Sequence, residues 1–265
     1  MRMMTIASGS SGNCTYIGDD ITHILIDAGI SGKKIEEGLA AADISPRDLD
    51  AILVTHEHSD HIGGLGVISR KYNIPIYATA GTIRGIQTSR SVGFIDNDLF
   101  QVTGRNAECE IGSLRVCVHP VSHDAADPVC YKVIGQAGQV AVATDMGCYD
   151  EDMVAFLQGM DALVLEANHD INMLSVGAYP YHLKQRILGN KGHLCNEAAG
   201  QLLSRILHDD MKRITLGHLS KDNNLPELAR AAVSLEVSLG RNPYRADDFD
   251  IRVADRIVPG ELLEL

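Results

Sequence analysis

Five separate apolar runs in this chain stop on a side chain that can coordinate a cation. Asp27 follows "HILI", His56 follows "AILVT", His123 follows "VCVHPVS", Asp145 follows "VAVAT" and His218 follows "ITLG". Runs of this length bounded by turn residues read as buried strands. Ends of neighbouring strands converge along one sheet edge, where loops carry function on a rigid frame. The fold must therefore gather strands from the whole chain and line up their ends.

The elements between these runs support that requirement. Ser31 is positioned to cap a helix beginning at "SGKKIEEGL", whose Ile35 and Leu39 share a face. The stretch "HIGGLGVISRKY" reads as one helix, "EDMVAFLQGM" as a short one, and "NEAAGQLLSRILHDD" as an amphipathic helix capped by Asn196. "LPELARAAVSLEVSL" is a last long helix, and from residue 99 to 145 strand follows strand. Strands come in two batches, each trailed by helices, which suits two packed sheets covered outside by helices. No repeat, low-complexity tract or linker interrupts the 265 residues, so a single domain over 1–265 is expected.

Composition narrows the function. A net charge of -12 argues against a non-specific basic nucleic-acid binder. It leaves room for a phosphate substrate held by cations, since bound ions dominate the field of a site. The six cysteines form no C-x-x-C pair, no secretory signal precedes the first strand, and no apolar run reaches the ~20 residues of a membrane span. The expectation is a cytoplasmic protein with reduced thiols and no membrane partner.

The densest signal is "THEHSDHIGG", residues 55–64. His56 and His58 are two apart and point to one side of an extended segment, while Asp60 and His61 enter the turn that follows. Four ligands this close crowd one tetrahedral ion and suit two ions sharing a cleft. Imidazole with carboxylate is the ligand set of Zn, Mn or Fe.

This stretch resembles the H-x-H-x-D-H signature of the metallo-β-lactamase superfamily, and His123, Asp145 and His218 follow in that superfamily's order. The phrases "SGSSGNCTYI", "VSHDAADPVCY", "YPYHLKQRILGNKGHL" and "LGHLSKDNNLPELA" resemble its YycJ-like (WalJ) branch, with differences at Cys130 and Cys195, neither a ligand candidate. The resemblance implies an α/β (α+β) fold, the four-layer αββα sandwich of two mixed sheets flanked by helices. It implies two divalent ions: His56, His58 and His123 on the first, Asp60, His61 and His218 on the second, Asp145 bridging, and Asp27 orienting ligands from behind. His58 stands where redox members carry an acid, which favours hydrolysis.

Two ions of this kind lower the pKa of a water from 15.7 toward roughly 7 and clamp a displacement at phosphorus or an acyl carbon. Asp60 is a candidate to orient the resulting hydroxide. Glu166 and His193 resemble the pair that ribonuclease Z-like members use to protonate the leaving group. Tyr179, Tyr181, Lys184 and Arg186 are candidates for base stacking and phosphate binding, and Asn223 and Asn224 for lining the pocket. His23, His119, His169 and His208 read as ordinary structural histidines. The leading expectation is a phosphodiesterase or nuclease, DNA exonuclease-like, on a phosphodiester or nucleic-acid substrate. An acyl (thioester or lactone) hydrolase with the same dinuclear site and a non-catalytic metal-binding module are the alternatives.

Overall fold

A computed structural model describes all of residues 1–265. The chain divides into two compact units, each assembled from segments distant in sequence. The first comprises 1–120, 125–138 and 255–265, and the second comprises 121–124 and 139–254.

The first unit is built on β1 (Arg2–Ala7), β2 (Cys14–Gly18), β3 (His23–Ile26), β4 (Ala51–Leu53), β5 (Ile76–Thr79), β6 (Phe100–Thr103) and the C-terminal β14 (Leu263–Glu264). These form one sheet in the order β14-β1-β2-β3-β4-β5-β6. It is mixed: β1 to β3 run antiparallel, while β3 to β6 are parallel neighbours joined through helices. The helices are α1 (Gly32–Ala40), α2 (Ser59–Ile62), α3 (Leu65–Tyr72) and α4 (Ala80–Thr88). Ile35, Leu39, Ile68, Ile83 and Ile86 recur at helical spacing and pack with Leu25, Ile52 and Ile76 of the sheet in one buried cluster. Ser31 caps α1 by accepting the Lys34 N–H. A meander of β7 (Glu108–Ile111), β8 (Leu114–Pro120) and β9 (Val129–Gly135) completes the unit.

The second unit holds the parallel strands β10 (Gly138–Ala143), β11 (Ala162–Glu166), β12 (Arg213–Gly217) and β13 (Ile251–Val253). Its helices are α5 (Glu151–Leu157), α6 (Ile171–Val176), α7 (Tyr181–Leu188), α8 (Asn196–Ile206) and α9 (Pro226–Leu239). Register aligns Ala143 with Leu165 and Leu165 with Leu216, so the carboxyl ends of three strands finish level. That edge is where open parallel sheets place ligands.

Two local expectations are corrected. The 59–72 segment is two helices because Gly63 and Gly64 interrupt it, and a Cβ at Gly64 would lie 1.9 Å from the Ile30 carbonyl oxygen. The cap of α8 is Cys195, whose Sγ accepts the Ala198 N–H, and Asn196 instead buries its amide against Asn224. No helix is long and apolar enough to cross a membrane.

Candidate metal centre

Each unit concentrates coordinating side chains at its strand ends. In the first, β3 and β4 are parallel with Ile26 opposite Leu53, so Asp27 and Thr55 leave the sheet together. The Asp27 carboxylate accepts the Thr55 N–H at 2.9 Å, the Thr55 hydroxyl at 2.9 Å and the His61 Nδ1 proton at 2.7 Å. With its only proton on Asp27, Thr55 Oγ1 accepts from His56 Nδ1, 3.0 Å away. Asp27 thus fixes two imidazoles, one directly and one through Thr55. His56, His61 and Asp27 are buried.

In the second unit, Glu166 ends the strand between those that lead to Asp145 and His218. It has no exposed surface. Its Oε1 accepts the Nδ1 protons of His193 at 2.8 Å and His218 at 3.1 Å, and its Oε2 accepts the N–H of Met146 and of Leu194. Burial alone would raise this carboxyl. The His193 charge and the hydrogen bonds from His193 and His218 outweigh it and hold the group down at about 2. His123 donates from Nδ1 to the Gly192 carbonyl at 3.0 Å, and burial lowers its pKa, keeping the ring neutral as a ligand must be.

The donor set suits divalent cations. His56, His61, His123 and His218 all have Nδ1 committed to an oxygen, which leaves Nε2 as the lone-pair nitrogen, the usual arrangement of metal-binding histidine. Two ligands each 2.0–2.2 Å from a tetrahedral ion stand about 3.4 Å apart. Asp145 Oδ1 lies 3.6 Å from His123 Nε2 and 3.5 Å from His218 Nε2, and Asp60 Oδ2 lies 3.5 Å from His61 Nε2. His193 shares this pattern, its Nδ1 committed to the same Glu166 oxygen as that of His218.

Three of these strand-end residues take left-handed backbone: Asp27 at φ 61, Asp145 at φ 59 and His218 at φ 55. Such conformations cost about 1–3 kcal/mol each and gather at functional sites. Glycine matters most at Gly29, where a Cβ would lie 1.7 Å from the Asp60 carbonyl oxygen. The Asn13 N–H donates to that same oxygen at 2.8 Å, so the β1–β2 loop cradles the turn carrying Asp60.

The substrate-binding candidates fare differently. Tyr179 donates to Asp222, Lys184 to the Ser175 carbonyl, and Arg186 forms a two-point pair with Asp124. Tyr181 is exposed on α7. Asn224 is buried, its amide donating to the Ala167 and Asn168 carbonyls and to Asn196, and Asn223 is buried beside Ser220. Thr55, Asn13 and Asn168, whose amide holds the His218 carbonyl at 2.9 Å, are supports that sequence reading missed. His169, read as ordinary, is buried with no partner for Nε2, and burial lowers its pKa to about 4.

Residues 22–218 match the Beta-lactamase superfamily domain. The chain is 42% identical over 234 residues to "Exodeoxyribonuclease YycJ" of Bacillus anthracis, covering 88% of both. It is 42% identical over 224 residues to "Exodeoxyribonuclease WalJ" of Streptococcus pneumoniae serotype 2, covering 84% of this chain and 83% of the relative. The crystal structure of zinc-bound PqqB from Methylobacterium extorquens superposes with a TM-score of 0.73 over 100% of both chains at 18% identity, which shows a shared fold. The chain belongs to the β-lactamase superfamily and, within it, to the family of YycJ and WalJ. The αββα fold expected from the sequence is the fold of that superfamily.

Proposed function

We propose that this protein is a metal-dependent phosphodiesterase that acts on DNA, an exodeoxyribonuclease-like hydrolase. The reading is carried by one observation: it is 42% identical over most of its length to relatives named exodeoxyribonucleases. The pairing of buried Glu166 with the partly exposed His193 supports it.

His56, His58 and His123 are proposed to hold one divalent ion and Asp60, His61 and His218 a second, with Asp145 shared. Zinc, manganese and iron all suit this set. When bound, such ions supply a nucleophile at neutral pH and neutralise charge growing on phosphoryl oxygens.

The protein's own groups do the rest. Asp60 orients the attacking water. Glu166 fixes the His193 ring with Nδ1 protonated toward the carboxylate, which presents Nε2 to the leaving oxygen as general acid. Asp27, through Thr55 and His61, keeps the imidazoles from swinging. The six cysteines, all free thiols, suit the proposed cytoplasmic setting.

The test loads the protein with manganese or zinc and offers bis-p-nitrophenyl phosphate, single- and double-stranded DNA, and a thioester panel. Cleavage of phosphodiesters above a His58→Ala control is expected. Turnover of thioesters alone would overturn the nuclease reading.

A further inference from the structure

Beside α4 the first unit carries a cavity of about 350 Å³. Ile86, Ile95 and Phe100 supply apolar walls, Gln87 and Asn97 supply amides, and Phe94 adds an aromatic ring that is 79% exposed. The ring stands on fixed backbone. Arg70 Nη1 donates to the carbonyls of Val92 at 3.2 Å and Phe94 at 2.6 Å, and Gly93 between them turns through φ 72. Gln87 Nε2 donates to Asn97 Oδ1 at 2.9 Å. That bond leaves Gln87 Oε1 as an acceptor and the Asn97 amide nitrogen as a donor, side by side.

An apolar slot with one aromatic face and an adjacent acceptor–donor pair matches a planar nitrogen heterocycle. Bases stack on aromatic rings, and amide side chains pair with base edges. Arg84 lies one turn before Gln87 on the exposed side of α4, and Arg90 is exposed on the loop, so cations for a phosphate backbone are at hand. Asp96 and Asp98 share the loop, so charge is nearly balanced and recognition rests on the ring and the amides.

The cavity belongs to the same scaffold as the histidine motif. A Cβ at Gly85 of α4 would lie 2.4 Å from Cγ of Glu57, the residue between His56 and His58. Helix α4 therefore rests on that motif, and the two residues after Gly85, Ile86 and Gln87, line the cavity. We propose that this cavity is a nucleobase subsite in which Phe94 stacks on an unpaired base of single-stranded DNA and the Gln87–Asn97 pair holds its edge. The proposal rests on the nuclease reading and names where the strand is gripped next to the cut.

The chain has no tryptophan, so Phe94→Trp places a sole tryptophan, excited selectively at the red edge of absorption, in the subsite. The metal-loaded variant is titrated with phosphorothioate oligodeoxythymidylate, which resists cleavage, and with a base-free phosphorothioate oligomer of equal length. Saturable quenching by the first and none by the second is expected. Phe94→Ala, with its melting temperature checked, is expected to bind the labelled oligonucleotide about tenfold or more weaker in fluorescence anisotropy. A strand that binds without quenching, equal quenching by the base-free oligomer, no strand binding at all, or wild-type affinity in a folded Phe94→Ala would each overturn the subsite. DNA cleavage by metal-loaded wild type decides the nuclease reading separately.

Discussion

His193 Nδ1 lies 2.8 Å from Glu166 Oε1, and that same oxygen also receives His218. One buried carboxylate therefore orients a proposed proton donor and a proposed metal ligand together.

Replacing Glu166 by Gln keeps the volume and offers one neutral oxygen where two imidazoles need a charged one. The His193 ring loses its fixed tautomer. A fall in kcat of about 10²–10⁴ is expected on a DNA substrate, as for other groups that orient a catalytic histidine. Substrates with an activated leaving group such as p-nitrophenolate need less proton donation and are expected to lose less. Equal losses on both would count against His193 as the acid.

The same carboxylate makes stability depend on pH. Its folded value, about 2, is depressed below the ordinary 4.5. The stabilisation is therefore present above about pH 4.5 and is lost as pH falls toward 2. In chelator-treated protein, urea unfolding is expected to show wild type more stable than Glu166→Gln at pH 5, with the gap closing as pH falls. A gap that stays constant would contradict the assigned charge.

Gly29→Ala puts a methyl 1.7 Å from the Asp60 carbonyl oxygen, which is backbone and must shift. The expected result is a loss of more than about 2 kcal/mol in stability and much weaker metal retention. Gly104→Ala, whose new Cβ meets only Ala107 at 3.5 Å, is the matched control and is expected to be near neutral.

Cys195 caps α8 with a sulfur acceptor 3.4 Å from the Ala198 N–H. Serine is a preferred N-cap and a stronger acceptor, so Cys195→Ser is expected to raise stability by about 0.5–1 kcal/mol in thermal or urea unfolding. A destabilised variant would show that thiol packing outweighs the cap at this position.

What the sequence made legible was chemistry at strand ends. Asp27, His56, His123, Asp145 and His218 stand out because coordinating side chains recur where apolar strands stop. Longer-range pairings left no such trace. Arg186 looked available for phosphate, but its partner Asp124 is 62 residues away. Asn224 looked like a pocket residue because a buried amide cluster with Asn196 has no local pattern. Helix α7 buries only Ile187, so "YPYHLKQR" shows no helical stripe. Thr55 and Asn13 passed as turn residues, since short polar side chains serve turns and ligand supports equally well.

Paired cations are the centre of this account, and metal content per chain tests them most directly. Protein loaded with manganese or zinc and freed of excess ion is expected to retain two ions per chain, and Asp145→Asn is expected to lose at least one of them. Wild type that retains none, or a variant that retains the full complement, would contradict it.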